Sequence, residues 1–252
     1  MSPGRPAIVL LNSLGTTAAM WDRVVPRLAE SFEVLRYDQR GHGNAPVRPT
    51  TGLDDLVDDL LGVLDRRGVA RVHLAGISIG GMIALRAASR VPDRVASVTA
   101  LCCAAALDRR SWTERARTVR EHGLDAIVPA VIERWFTTEF RSRRPEAVRA
   151  STEMLRSTPR EGYAVGCDVL AEADVRADLP GITARTLVVG GAEDPATPPD
   201  EQHAIARAIP HAHVEILPAV AHLAPIAEPE TIAKLITANA LAAESVGEQT
   251  WT

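Results

Sequence analysis

The sequence lacks the excess of positive charge that would indicate a nucleic-acid partner. Its 28 Lys and Arg residues are balanced by 32 Asp and Glu residues, and the formal net charge is -4 at pH 7. Two stretches, 109–120 and 141–144, are rich in arginine, but glutamates lie within or beside them. We therefore expect solvated helix faces in these stretches and no binding of nucleic acid.

Cysteine and long apolar runs are also scarce. Only three cysteines are present, and two of them, Cys102 and Cys103, are neighbours that could bridge only with strained geometry. The apolar run near the start, 7–11, is too short to span a membrane, and no small-residue cleavage pattern follows it. These features predict a cytoplasmic protein that has no membrane segment.

The sequence does contain a regular alternation of strand-like and helix-like segments. Solid apolar runs are typical of buried strands, and apolar residues spaced by three and four are typical of helices. The alternation predicts an α/β fold with a doubly wound, mainly parallel sheet of about six strands and right-handed crossovers. Strands are expected at 7–11, 32–37, 72–77, 95–101, 186–189 and 214–217, and helices at 20–30, 53–64, 82–89 and 229–241.

The alternation stops between 108 and 178. Charged, helix-compatible segments that contain Trp112, Trp135 and Phe136 occupy this part of the chain. We interpret 108–178 as a helical lid inserted into a core formed by 1–107 and 179–252. With 252 residues, 46% of them hydrophobic, the chain is expected to form one catalytic unit.

The strongest chemical motif is G-x-S-x-G at residues 76–80. A β-branched strand precedes it and a small-residue helix follows it, which is the context in which this motif holds a nucleophilic serine on a sharp turn. Glycine on both sides of the serine allows the strand and the helix to approach closely, and the turn strains the serine backbone. We therefore predict that Ser78 is a nucleophile at the carboxyl edge of the sheet.

A nucleophilic serine needs a base, and the base needs an acid that orients it. Asp194 and Glu193 both follow the predicted strand 186–189. Pro195 and Pro198 restrict the backbone and would fix the Asp194 carboxylate, whereas Glu193 can point to solvent. The sequence therefore favours Asp194 over Glu193 as the acid.

The predicted base is His222, which follows the strand 214–217. The order serine, acid, histidine is the one that this architecture uses, and each of the three residues follows a different strand. Because the carboxyl ends of parallel strands face one crevice, Ser78, Asp194 and His222 are predicted to form a catalytic triad.

A carbonyl oxygen that becomes negative during the reaction needs preorganised hydrogen-bond donors. The Ile79 N–H group directly follows the serine and begins a helix whose dipole favours an anion. The second donor is expected in the loop 12–15, at the Leu14 N–H group. Leu14 and Ile79 are therefore the predicted oxyanion-hole residues.

Three other features favour structural explanations. His42 lies in an R-G-H-G loop, where we expect a structural role. His211 and His213 lack a third ligand at a suitable spacing, so we predict a solvent-exposed loop and no metal site. Cys102 and Cys103 are expected to be buried packing residues. The sequence predicts no cofactor.

Eight short segments, distributed over most of the chain, carry a resemblance to known proteins. Two of them, R-Y-D-x-R-G-H-G and A-H-L-A-P-x-x-x-P, are general to the α/β-hydrolase family, which the chain resembles. The segments N-S-L-G-T and R-W-F-T-x-E-F resemble, more narrowly, the 3-oxoadipate enol-lactonases. The segments are NSLGT (12–16), RYDQRGHG (36–43), GISIGGM (76–82), RWFTTEF (134–140), EGYAVGC (161–167), DVRADLPGITARTLVVGG (174–191), EDPATPP (193–199) and AHLAPIAEP (221–229).

The resemblance implies an α/β-hydrolase fold with the same triad and the same oxyanion donors. It also implies that Trp135 is a lid residue that bounds the substrate pocket, although packing within the lid explains this residue equally well. The chain departs from the family because it begins almost at its first core strand. The hairpin that usually precedes this strand is then missing, and six strands are expected where the family has eight.

The activity implied by the resemblance is hydrolysis of a small enol-lactone that carries a free carboxylate. A lid arginine, Arg134, is our hypothesis for the group that pairs with this carboxylate. Because fold and triad do not determine the acyl group, a general carboxylesterase is an open alternative. A third possibility is a ligand-binding receptor on a hydrolase scaffold, which would bind its ligand without turnover. The expected partner is a small-molecule lactone or ester.

Overall fold

The structure, a computed structural model, describes residues 5–248. The outermost parts of the predicted core, 1–4 and 249–252, lie outside the described residues. The strands of the described part are β1 (Ala7–Leu11), β2 (Glu33–Arg36), β3 (Val72–Ile77), β4 (Val95–Leu101), β5 (Arg185–Gly191) and β6 (Ala212–Leu217). They form one sheet in the order β2-β1-β3-β4-β5-β6, and all neighbouring pairs are parallel. The predicted six-stranded parallel sheet is confirmed.

The central strands are covered on both faces. Every residue of β1, β3 and β4 is buried, which in a parallel sheet requires packing against both faces. In the register, Leu11 pairs with Gly76 and Ile77 pairs with Leu101. The three strands therefore end at the same edge of the sheet, and the loops that follow them meet there.

Helices cover the sheet. Helix α3 packs on β1, β3 and β4, helix α2 packs on α3, helix α9 packs on β5 and β6, and helix α11 packs on β4 and β5. The α-helices of residues 5–248 are α1 (Val25–Leu28), α2 (Leu53–Arg67), α3 (Ile79–Arg90), α4 (Arg109–His122), α5 (Val128–Trp135), α6 (Thr138–Arg143), α7 (Pro145–Arg156), α8 (Arg160–Glu172), α9 (Pro199–Ala208), α10 (Ala224–Ala227) and α11 (Pro229–Glu248). In this part of the chain, no helix combines the length and the apolar character needed to cross a bilayer.

The predicted helix at 20–30 is wrong, while the other predicted elements are present. The structure has a 3₁₀ turn at Ala18–Trp21 and, after it, only the four-residue α1. Pro26 explains the interruption, because proline lacks an N–H group and its ring clashes with a preceding helical turn, so it is tolerated only where a helix begins. Elsewhere β3 and β4 have the predicted bounds, and α11 continues beyond 241 to Glu248.

The insertion between β4 and β5 contains helices α4 to α8. Its two ends are held together, since the Val175 N–H group donates to the Ala105 carbonyl oxygen at 2.8 Å and a β-bridge joins Ala106 to Asp174. Helices α4 and α8 pack along each other. The segment predicted as a lid, 108–178, is thus helical and anchored at its base, and its function as a lid stays a prediction.

The arginine-rich face of α4 pairs with acids of α4 itself and of α8. Arg117 pairs with Glu114 at 2.5 Å, and Arg120 pairs with Glu161 at 2.9 Å and Asp168 at 2.6 Å. These side chains are exposed, and such surface pairs each contribute only about 0–1 kcal/mol. The arrangement is the solvated helix face expected for this stretch.

Candidate active site

Ser78 lies on a strained turn between β3 and α3. Its backbone has φ 58° and ψ -122°, a conformation that residues with a side chain rarely adopt. A Cβ atom at Gly76 would lie 2.1 Å from the Gly80 carbonyl oxygen, and one at Gly80 would lie 2.5 Å from the Leu11 carbonyl oxygen. Both glycines of the motif are therefore required by close backbone packing, and this packing holds the serine in its strained position.

Asp194 lies in the loop after β5 and is almost fully buried. Its Oδ1 atom accepts hydrogen bonds from the Ala196 N–H group at 2.8 Å and the Thr197 N–H group at 3.2 Å. Its Oδ2 atom accepts from the Thr197 hydroxyl at 2.7 Å and from His222 Nδ1 at 2.8 Å. All four neighbours are donors, as a carboxylate requires. Glu193, the competing acid, is exposed.

The ionisation of Asp194 follows from these contacts. Burial alone would raise the pKa of Asp194, but the facing His222 and the hydrogen bonds from His222, Thr197 and the Ala196 amide outweigh it. The net effect is a pKa below the ordinary value of an aspartate. The carboxylate is therefore charged at neutral pH, and it orients the imidazole so that Nδ1 carries the proton and Nε2 is free to act as a base.

His222 is buried in the loop after β6 and is held by the insertion. The His222 N–H group donates to the Arg134 carbonyl oxygen at 3.4 Å, and the Leu223 N–H group donates to the Trp135 carbonyl oxygen at 3.0 Å. The last turn of α5 leaves these carbonyls without helical partners, so the histidine loop caps that helix. The position of the base is thereby coupled to α5.

Ser78 and His222 line the same cavity. The hydrogen bonds of residues 5–248 join His222 to Asp194, and a direct bond from Ser78 to His222 is not among them. Catalytic hydrogen bonds are often long without substrate and tighten in its presence. The structure thus brings the predicted nucleophile and base to one cavity, and the triad itself stays a prediction.

The two predicted oxyanion donors lie beside the serine. Ile79 is the first residue of α3, and its N–H group has no helical acceptor; Leu14 lines the cavity that Ser78 also lines. Within the described residues, neither amide donates a hydrogen bond. Free N–H groups at the start of a helix and in a neighbouring loop are suited to a developing oxyanion.

His42, expected to be structural, holds the loop that carries Leu14. It is buried, its Nε2 atom accepts from the Gly15 N–H group at 3.0 Å, and its Nδ1 atom lies 3.2 Å from the Arg40 carbonyl oxygen. Burial is the main reason that the pKa of His42 lies below its ordinary value. The ring is therefore neutral at neutral pH, with Nδ1–H as donor and Nε2 as acceptor.

The cavity is small and lies under the insertion. Trp135 lines it and is buried, and Arg134 lines it and is half-buried. Its volume is about 40 Å³, well below the roughly 300–1,000 Å³ of typical ligand pockets. A substrate of lactone size therefore needs the cavity walls to move apart.

The cavity-lining residues that were not predicted from the sequence as site residues include Trp112, Arg115 and Tyr163. Trp112 and Arg115 are three residues apart on α4 and so share one face of the helix. This spacing was a usable signal, but Arg115 lies in an arginine-rich stretch that resembles a solvated face. Only the packing of α4 on α8 shows that one side of the stretch faces the cavity.

A larger cavity of about 660 Å³ lies at the opposite, amino edge of the sheet, lined in part by Arg71, Arg185, His211 and His213. It contains no member of the predicted triad, so we place the candidate site at the smaller cavity. His211 and His213 are exposed; His213 lies on the edge strand β6 and not in a loop. The described residues contain no group of three or more His, Cys, Asp or Glu that could hold a metal ion.

The buried cysteines take no part in the candidate site. Cys102, Cys103 and Cys167 are free thiols. Burial raises the pKa of Cys103 to about 12 and also raises the pKa of Cys102. Because the thiolate is the reactive form, these residues are inert packing residues, as expected for Cys102 and Cys103.

Comparison with known proteins places this chain in a family. Residues 6–229 match the family model described as the alpha/beta hydrolase fold. The 3-oxoadipate enol-lactonase 1 of Acinetobacter baylyi is 35% identical over 233 residues, which cover 92% of this chain and 87% of that protein.

Two solved structures are also similar. The enol-lactonase from Burkholderia xenovorans LB400 has a TM-score of 0.92 at 34% identity, over 94% of this chain and 92% of that one. A thermophilic esterase from Thermogutta terrifontis, solved with malate bound, has a TM-score of 0.90 at 29% identity, over 95% and 90% of the two chains. All three relatives are named as hydrolytic enzymes, which argues against the non-catalytic receptor. The chain belongs to the α/β-hydrolase family and is a hydrolytic enzyme similar to the enol-lactonases.

Proposed function

We propose that this protein opens a small carboxylated enol-lactone, 3-oxoadipate enol-lactone, to give 3-oxoadipate. The observation that carries the proposal is the cavity shared by Ser78, His222 and Arg134, which combines a nucleophile, a base and a cation for a free carboxylate. The enol-lactonase relatives support this choice of substrate.

In the first half of the reaction, the Ser78 hydroxyl oxygen attacks the lactone carbonyl carbon, and its proton passes to His222 Nε2. The Leu14 and Ile79 amides donate hydrogen bonds to the carbonyl oxygen as it becomes negative, each contributing about 2.7–4 kcal/mol to the transition state. The ring C–O bond then breaks and leaves an acyl ester on Ser78. The leaving group is an enol, which departs more readily than an alkoxide and takes the proton from His222.

In the second half, water replaces the enol at the acyl carbon. His222 removes a proton from the water, the hydroxide attacks, and the bond to the Ser78 oxygen breaks as the proton returns to that oxygen. The free enol stays tethered to the acyl group, so hydrolysis competes with ring closure. Conversion of the enol to the ketone makes the opening effectively irreversible.

The insertion supplies substrate binding in this proposal. The Arg134 guanidinium pairs with the free carboxylate, for which its planar donor pairs are suited. Trp135 bounds the pocket from the lid side. The lid closes over the lactone and excludes bulk water, which strengthens the electrostatic contacts inside.

The experiment follows the loss of enol-lactone absorbance with wild type and Ser78→Ala. We expect turnover by the wild type and a loss of at least about 10³-fold in the variant. Ser245→Ala, which changes an exposed serine on α11, is the matched control and should retain wild-type rates. Equal rates for wild type and Ser78→Ala would remove Ser78 as the nucleophile.

The esterase relative favours one alternative, hydrolysis of general small esters with the same machinery. The two candidate functions differ in whether the substrate must carry a free carboxylate. A higher kcat/KM for uncharged p-nitrophenyl esters than for the enol-lactone would favour the esterase.

A further inference from the structure

A second arginine lines the catalytic cavity. Arg115, on α4, lines it together with Arg134, at the end of α5, and both side chains are half-buried. Arg117 and Arg120 on the same helix form ion pairs with acids. Among the salt bridges of residues 5–248, none involves Arg115 or Arg134. Two cations therefore face the cavity without a carboxylate partner of their own.

The two charges affect each other. Burial, and after it the positive charge of Arg115, lower the pKa of Arg134. Guanidinium groups nevertheless stay protonated in proteins, so both remain cations. Their mutual repulsion and partial desolvation are unfavourable in the free protein. The attraction of a bound anion to both guanidinium groups would offset these two costs, which favours its binding.

The surroundings orient Arg115 without neutralising it. Its guanidinium carbon lies 4.6 Å from the centre of the Trp112 ring, in cation–π geometry. Tyr163 lines the same cavity, and burial raises the pKa of Tyr163 to about 12. The tyrosine hydroxyl is therefore neutral and can itself donate to an anion. The contact with Trp112 therefore holds the Arg115 guanidinium without placing a negative charge beside it.

We infer that Arg115 and Arg134 together form a two-guanidinium subsite for the free carboxylate of the substrate, with Arg115 as a specificity-determining residue. This inference rests on the proposed function, which it deepens by assigning recognition of the substrate carboxylate to two arginines. The subsite selects lactones and esters whose acyl carbon reaches Ser78 while a carboxylate on the same molecule reaches α4 and α5. Uncharged esters of the same size lack this contact.

The test compares Arg115→Gln and Arg134→Gln with the wild type on two substrates, the enol-lactone and p-nitrophenyl acetate. Loss of one charge-assisted contact predicts a fall in kcat/KM of roughly 10- to 150-fold for the enol-lactone. The uncharged ester should change less than about threefold in kcat/KM, since it makes no such contact. Arg115→Lys keeps the charge and should restore part of the loss. Arg117→Gln, on an exposed position of α4, is the matched control and should behave as wild type.

Two results would overturn the inference. A parallel fall for both substrates in Arg115→Gln would mean that the residue only supports the fold, and unchanged rates for both would mean that it does not meet the carboxylate.

Binding of adipate, a six-carbon dicarboxylate, separates this inference from the proposed lactonase activity. Calorimetry with Ser78→Ala protein measures the affinity without turnover. We expect adipate to bind, and to bind at least about 10-fold more weakly when Arg115→Gln is added. If the wild type fails to hydrolyse the enol-lactone but this pattern holds, the subsite stands and the lactonase proposal fails. Absent binding, or equal affinities with and without Arg115, would refute the subsite.

Discussion

Replacement of Asp194 by asparagine tests the orientation of the base most directly. The four groups around the carboxylate are all donors: two backbone amides at Oδ1, and the Thr197 hydroxyl and His222 Nδ1 at Oδ2. An asparagine must place its NH₂ group against one of these pairs. At the Oδ1 position the NH₂ group would face two backbone N–H groups that cannot become acceptors, at about 1–3 kcal/mol for each unsatisfied donor.

The NH₂ group therefore takes the Oδ2 position. There the Thr197 hydroxyl can rotate to accept, and His222 must lose the proton on Nδ1 in order to accept as well. The imidazole then carries its proton on Nε2, so that it can no longer receive one from Ser78. The fold is retained, with a stability loss of about 1–3 kcal/mol, while kcat falls by about 10⁴-fold, or roughly 5.5 kcal/mol.

The assay measures kcat and kcat/KM on the enol-lactone, with thermal unfolding of the same samples. Glu193→Gln, at the exposed neighbouring acid, is the control and should stay within about twofold of wild type, as for surface substitutions. A folded Asp194→Asn enzyme that keeps kcat within about tenfold of wild type would refute the role of this carboxylate in orienting His222.

Two further predictions concern the turns around the site. Gly80→Ala would press a Cβ atom against the Leu11 carbonyl oxygen, so we expect a loss of about 3 kcal/mol, or roughly 6–12 °C in Tm. Gly181→Ala, where a Cβ atom meets nothing within 4 Å, should leave Tm nearly unchanged, and equal shifts in the two variants would contradict the packing argument. For His42, the lowered native pKa means that the unfolded chain binds the proton more readily, so its contribution to stability is complete above about pH 6.5 and is lost as the pH falls below that value. His42→Gln keeps an acceptor for Gly15 without titrating, so the fall in Tm between pH 7 and pH 5 should be smaller than in wild type; equal slopes would exclude this coupling.

Much of the fold could be predicted because the relevant signals are local. The mainly apolar segments 72–77 and 95–101 were predicted as strands with the bounds that β3 and β4 have in the structure. Leu56, Leu60 and Leu64 follow helical spacing in α2 and are buried, and Gly68 ends that helix with φ 67°. The helix predicted at 20–30 from its apolar spacing is wrong because Pro26 lies in its interior, where a proline is incompatible with a continuous helix.

The candidate site was predictable where a short motif dictates backbone geometry. The glycines around Ser78 act through close contacts within one strand-turn-helix unit, so the sequence alone indicates the strained serine. Asp194 was favoured over Glu193 from the flanking prolines, and the structure buries Asp194 against His222. The contact of Arg115 with the cavity depends instead on how α4 lies over the sheet.

By itself, the sequence determined the order of strands and helices, the sharp turn at Ser78 and the three loops that carry the candidate triad, since each follows from apolar spacing and from the steric limits of glycine and proline within a few residues. Only the tertiary structure decided that the His222 loop caps α5, that His42 holds the Gly15 amide, and that Arg115 joins Arg134 at the cavity. These contacts join residues distant in the chain, and their partners are selected by the packing of whole helices, which leaves no periodic signal in the sequence.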